Sequence, residues 1–226
     1  MVNGIVFDLD GVIVNSHPAH KRAWRHFLNG LGKKTSEADL DFILEGRKRE
    51  DILRHFLGDL SDEELARFGR QKDEFFQKVA EEVPAVPGVL QFLKELAVAG
   101  LPCAIATSAS RRRTQLTLER LSLTKHFRAV VTGDDVTQGK PDPAIYRLAA
   151  QKLNLSPEYL LAIEDAPAGV KAATSAGMLC IGVGSPLKAG DLRKAGAGHV
   201  IPDFANVSLQ SLAESILPRA AQIVQV

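Results

Sequence analysis

Cysteine is nearly missing from this chain, with 2 in 226 residues. Cys103 and Cys180 each lie inside an apolar run, LPCAIAT and MLCIGVG, where a free thiol packs as a small hydrophobe, so no disulfide framework is expected. An excess of one charge is missing too: Lys+Arg number 28 and Asp+Glu 27, a net +1. That balance gives no general pull toward nucleic acid or an anionic membrane and leaves any anion binding to a local cluster. The N-terminus reaches Asp8 almost at once, with no basic region followed by a long apolar segment. Neither a signal peptide nor a membrane span is expected, and the expected location is cytoplasmic. Internal repeats and low-complexity segments are also lacking. What is present is ordinary globular composition, 45% hydrophobic and 24% charged, in a length that suits one large domain or a core with a smaller unit attached.

Short apolar runs recur at 4–8 (GIVFD), 103–107 (CAIAT), 129–132 (AVVT), 160–164 (LLAIE) and 179–183 (LCIGV). Their length suits strands buried on both faces. Helical periodicity separates them at Arg112 to Leu121, Pro143 to Leu153 and Ala166 to Ala176, the last two with proline near the start. Alternating strand and helix predicts an α/β fold with a parallel sheet. Residues 16–83 break the alternation with amphipathic helical segments and no strand pattern, and read as an inserted helical cap. VPAVPGV (83–89) marks the return, a hinge followed by a new helix, leaving 1–15 and 84–226 as the core. Beyond about Asp203 one apolar helix is expected, from Ser208 to Ile216.

In an open parallel sheet the strands' carboxyl ends converge on one crevice. Here those ends carry Asp8 and Asp10, then Thr107 and Ser108, then Glu164 and Asp165, with Lys140 in the loop before the third helix. Phosphoryl transfer asks for this mixture, because its transition state needs positioning and charge neutralisation. Asp8 can serve as a nucleophile, splitting one difficult displacement into two. A dianionic phosphate repels that carboxylate, so a hard divalent cation with oxygen ligands, Mg2+, is expected among Asp8, Asp165 and the Asp10 carbonyl. Lys140 and Ser108 would hold the phosphate. Asp10 would protonate the leaving oxygen and later deprotonate the acceptor, crowding by other carboxylates favouring its neutral form part of the time. Gly11 would let the chain turn so that both carboxylates face one site. Each fragment alone has an ordinary explanation: DLDG as a turn, KPDP as a helix start, Asp165 as an N-cap. A calcium loop is excluded because its terminal glutamate would fall at Ala19. Their occurrence together and in order outweighs the separate explanations.

With FDLDGV, IATSAS, GKPDP and IEDAPAG in order, the sequence resembles the haloacid dehalogenase superfamily over nearly its full length, and more closely its β-phosphoglucomutase and sugar phosphatase branch. The resemblance implies a Rossmann-like three-layer core with a helical cap, Asp8 as nucleophile, Asp10 as acid and base, Ser108 and Lys140 on the phosphate, and Glu164 with Asp165 at the metal. HPAHKRAW (17–24) is similar to the mutase cap entrance, which would put His20 near Asp10 and Trp24 beside the substrate, although a core anchor is the commoner use of such a tryptophan. GRKRED (46–51) is similar to the loop that presents an arginine, here Arg49, to a second phosphate. Ser110 and Arg111 match that subsite in type, and Lys72 is similar to a cap lysine that contacts sugar. Asn15 and Arg112 depart from the family pattern, which has aspartate and asparagine there. The implied substrate is a small phosphorylated molecule, with no nucleic acid or membrane partner, and the sequence does not choose between a monomer and a weak dimer. Isomerisation of β-glucose 1-phosphate is the leading specific expectation and hydrolysis of sugar phosphates the runner-up. A receiver domain is opposed by the size of the insertion, and a silent binding module would not need Asp10.

Overall fold

The computed structural model describes residues 2–80 and 83–214. Its centre is β1 (Gly4–Phe7), four buried residues whose side chains alternate between two cores. Ile5 and Phe7 enter one apolar cluster, while Val6 enters another on the opposite face. A strand buried on both faces in this way has to be flanked by parallel neighbours. β1 pairs with β2 (Cys103–Ala106) through Ile5 and Cys103, and with β4 (Leu160–Glu164) through Ile5 and Leu161. Adding β3 (Ala129–Val131), β5 (Leu179–Val183) and β6 (His199–Ile201) completes a six-stranded parallel sheet of order β3-β2-β1-β4-β5-β6. The order reverses direction at β1, which sets the crevice at its carboxyl end.

Helices cover both faces. Val89, Phe92, Leu93 and Leu96 of α5 (Val89–Val98) pack with Ile5 and Phe7. Ile145, Tyr146 and Ala149 of α7 (Ala144–Leu153), with Val170, Ala172 and Ala173 of α8 (Pro167–Ser175), pack with Val6. The remaining core helices are α6 (Arg111–Arg120) and α9 (Pro186–Ala195). Neither β6 nor α9 was expected from the sequence. The expected C-terminal helix is helical over 209–214, and its remainder lies outside the described residues.

Between β1 and α5 the chain forms α1 (His17–Gly30), α2 (Glu37–Ile43), α3 (Arg49–Leu57) and α4 (Asp62–Ala80). Trp24, Phe27, Leu28, Leu40, Ile43, Ile52, Leu53 and Leu65 make a third apolar cluster within these four helices. Entry and exit run side by side: the Asn15 amide donates to the Pro84 carbonyl at 2.9 Å, and the Val86 amide to the Ile13 carbonyl at 3.0 Å. Asn15 itself is exposed at this crossing. No helix among the described residues is long and apolar enough to cross a membrane.

Candidate active site

Asp8 follows β1 directly, buried, and the Lys140 ammonium donates to its Oδ1 at 2.6 Å. The same ammonium donates to Glu164 Oε1 at 2.6 Å and to the Ala106 carbonyl at 3.0 Å, so it joins the ends of three neighbouring strands. Glu164 is fully engaged. Its Oε1 also accepts from the Tyr146 hydroxyl at 2.9 Å, and its Oε2 from the Asp165 and Ala166 amides at 2.9 and 3.0 Å. A side chain at Gly169 would run into this carboxylate, so the helix following β4 can approach only with glycine there. With every lone pair directed at a donor, Glu164 fixes Lys140 here and has no free oxygen turned to the pocket. Lys140 likewise lies between two carboxylates rather than exposed to a ligand.

Burial raises the Asp8 carboxyl well above the ordinary range, and Glu164, Asp165 and Asp10 add to that rise against the pull of Lys140. Lys140 is held protonated: burial disfavours its charge, but Asp8 and Glu164 outweigh that cost. Several carboxylates thus share one buried ammonium, an excess of negative charge that a divalent cation would relieve. Asp165 Oδ2 is buried without a hydrogen-bond donor of acceptable geometry, although the His17 imidazole nitrogen lies 2.8 Å away. Among the described residues no three His, Cys, Asp or Glu side chains form a ready ligand group. The residues nevertheless fit Mg2+, which takes one or two carboxylates and fills its other positions with backbone, water or substrate oxygens. Asp8, Asp165 and the Asp10 carbonyl are the donors of the right kind. Gly11, with φ of 79°, turns the chain just after Asp10, and a side chain there would strike Asp165.

Asp10 departs furthest from expectation. Arg113 grips it bidentately, Nη1 to Oδ1 at 2.9 Å and Nη2 to Oδ2 at 2.6 Å. Ser16 Oγ donates to Oδ1 at 2.6 Å, and His20 Nε2 lies 3.2 Å from the same oxygen. Burial alone would raise this carboxyl, but Arg113 and His20 together hold it well below the usual range. The expectation of a partly neutral Asp10 is therefore corrected: a guanidinium, not carboxylate crowding, governs it.

His20 is buried, stacked on Phe76 at 4.4 Å. Burial and the neighbouring Lys72 lower its pKa to about 3, so the ring is neutral. Lys72 Nζ lies 3.3 Å from His20 Nδ1 and can only donate, so Nδ1 accepts and Nε2 carries the proton toward Asp10. Lys72 is buried over the Trp24 and Phe76 rings, 5.3 and 5.0 Å from their centroids, and burial lowers its pKa to about 8. Trp24 is 2% exposed and belongs to the helical core, lining the pocket beneath Lys72.

Arg49 donates Nη1 to Asp73 Oδ2 at 2.6 Å and Nη2 to Glu50 Oε1 at 2.8 Å. Ser110 Oγ donates to the same Asp73 oxygen at 3.1 Å. Ser108 Oγ donates to the Gly46 carbonyl at 2.7 Å, tying β2's end to the loop before α3. Arg111 does not join these residues. Its side chain is 62% exposed and pairs with Asp135 at 2.6 Å, because the first turn of α6 directs it outward and Arg113 inward. Arg112 is exposed. One pocket is lined by Asp8, Asp10, His20, Trp24, Arg49, Lys72, Ser108, Ser110, Glu164 and Asp165, together with His17, Asp73 and Arg113, which sequence reasoning missed. Arg113 had a readable signal: it lies one helical turn after the capping Ser110.

A parallel sheet of this order with a strand-end aspartate, a buried lysine and paired acidic residues defines a hydrolase of one superfamily. The family model described as haloacid dehalogenase-like hydrolase matches residues 5–183, and the chain belongs to that family. It is 37% identical over 185 residues to hexitol phosphatase A of Escherichia coli, covering 81% of this chain and 83% of that protein. It is 31% identical over 202 residues to the β-phosphoglucomutase of Bacillus subtilis, covering 84% and 88%. The crystal structure of a β-phosphoglucomutase from Clostridium difficile superposes with a TM-score of 0.87 at 25% identity, covering 98% of this chain and all of that one. The chain is an enzyme of the phosphatase and phosphomutase kind.

Proposed function

We propose that this enzyme hydrolyses monophosphates of small sugars or polyols through a phosphoryl group carried on Asp8. The observation that carries the reading is the Lys140 bridge, which fixes Asp8 through Oδ1 alone in a pocket it shares with Asp10 and Asp165. Asp8 attacks phosphorus and the ester bond to the leaving oxygen breaks; that oxygen takes a proton from Asp10. A water molecule then attacks the aspartyl phosphate, returns a proton to Asp10 and releases orthophosphate, restoring Asp8. Bound Mg2+, held by Asp8, Asp165 and the Asp10 carbonyl, would offset the charge between carboxylate and phosphate. Lys140, kept protonated by Asp8 and Glu164, anchors the nucleophile. Asp10 works as an acid only after turning away from Arg113, Ser16 and His20, so the observed position is a resting one. We read 16–83 as the cap over this pocket, with His20 and Lys72 orienting Asp10 and Arg49 and Ser110 facing the remainder of the substrate.

Water as the acceptor is supported by the names of similar proteins, hexitol phosphatase A and the phosphorylated carbohydrates phosphatase of Thermotoga maritima. The second reading, transfer to a sugar hydroxyl, is supported by the similarity to the β-phosphoglucomutase of Bacillus subtilis. The two are separated by supplying β-glucose 1-phosphate with catalytic glucose 1,6-bisphosphate and Mg2+ and following free phosphate and glucose 6-phosphate together. Hydrolysis predicts phosphate in excess. Glucose 6-phosphate accumulating without phosphate would replace it with the mutase reading.

A further inference from the structure

Four cationic side chains, Arg47, Arg49, Lys72 and Arg113, line the pocket, and each has a carboxylate of the chain itself beside it. Arg47 pairs with Glu45 at 3.0 Å, Arg49 with Glu50 at 2.8 Å and Asp73 at 2.6 Å, Arg113 with Asp10 at 2.6 Å, and Lys72 approaches Asp73 at 3.5 Å. Asp73 is central to this arrangement. Its Oδ2 takes both the Arg49 guanidinium and the Ser110 hydroxyl, two donors that would otherwise be open to an anionic group. Its Oδ1 has only the long Lys72 contact, which leaves lone pairs directed at the pocket. Asp73 is ionised: burial opposes its charge, but Lys72, Arg113 and Arg49 together hold the carboxyl below its usual value.

We propose that Asp73 determines specificity, closing the Arg49–Ser110 corner to a second phosphate and accepting hydrogen bonds there from the hydroxyls of an uncharged sugar or polyol. The inference rests on the hydrolytic reading above and names its substrate class: phosphate monoesters with a neutral, hydroxyl-rich remainder. A second phosphate would have to displace Asp73 from Arg49 and then lie beside its carboxylate, a like-charge contact in a partly dried site. A hydroxyl meets no such barrier and satisfies Oδ1.

The test compares kcat/KM for glucitol 6-phosphate, glucose 6-phosphate and glucose 1,6-bisphosphate in the unaltered protein, in Asp73→Asn and in Asp73→Ser. The unaltered protein should prefer the monophosphates. Both variants should move the ratio toward the bisphosphate by about tenfold or more, mainly through a lower KM for the bisphosphate. An unchanged ratio in variants that melt like the parent, or a parent that already prefers the bisphosphate, overturns the assignment. Asp8→Asn is measured on the same substrates. Turnover surviving in Asp8→Asn counts against the covalent reading alone, whereas a silent Asp8→Asn with an unmoved ratio counts against Asp73 alone.

Discussion

The two ends of the pocket are built differently. At the core end Asp8, Lys140, Glu164 and Tyr146 are buried, tied to the ends of adjacent strands, and joined by bonds of 2.6 to 2.9 Å. At the helical end Arg49, Lys72, Asp73 and Arg113 stand on helices, and a chain of ion pairs holds them. The core end has one ammonium for several carboxylates and is short of positive charge. The helical end balances its cations with its own acids. The difference assigns chemistry to the first and selection to the second: a phosphate and its cation are wanted where charge is uncompensated, and a neutral group where it is already matched.

The largest effect on this contrast should come from Lys140→Met. Removing the ammonium leaves Asp8 and Glu164 buried without their common partner, and denaturant unfolding should show a loss of about 3–5 kcal/mol. A loss no larger than for an exposed pair would mean that the core end is not held together by Lys140. Next comes Arg113→Ala. Without the guanidinium, burial dominates at Asp10 and its carboxyl rises, so the basic limb of the kcat/KM profile, where Asp10 loses the proton it gives to the leaving oxygen, should move to higher pH. A basic limb that stays in place would remove Arg113 from control of Asp10. His20 gives a finer check. Its pKa of about 3 lies below the unfolded value of 6.5, so its contribution to stability is complete above pH 6.5 and is lost as pH falls toward 3. Its ring resonances should stay those of the neutral imidazole until the pH nears 3, while the protein stays folded. The smallest effect is expected at Lys21, whose pairs with Glu37 and Asp41 are open to water. Lys21→Ala should cost about 0.5 kcal/mol or less.

The same contrast explains what could be read from the sequence. A buried strand has to end, and the polar residues at its end are visible as a break in an apolar run, so Asp8, Thr107, Ser108, Glu164 and Asp165 stood out. The parallel sheet followed from the same runs. Three-residue β6, which begins with a half-buried histidine, gave too little pattern, and α9 buries only Ala189 and Leu192. At the helical end Asp73, Arg113 and His17 were missed because their roles depend on which helix faces meet across the pocket. In SASRRR (108–113) the one signal was the place of Arg113 a helical turn after the capping Ser110, whereas the resemblance pointed to Arg111, which does not line the pocket. Even Glu164, correctly placed at the site, proved to have its oxygens filled by Lys140, Tyr146 and two amides.

The covalent step is tested most directly by mixing enzyme and glucitol 6-phosphate with Mg2+, quenching in acid within the first turnover, and mapping the added phosphoryl mass by peptide. The account predicts that mass on the peptide carrying Asp8, and none in Asp8→Asn, which should also release no phosphate. Phosphate release in the first turnover with no phosphorylated Asp8 peptide, or turnover undiminished in Asp8→Asn, would contradict it.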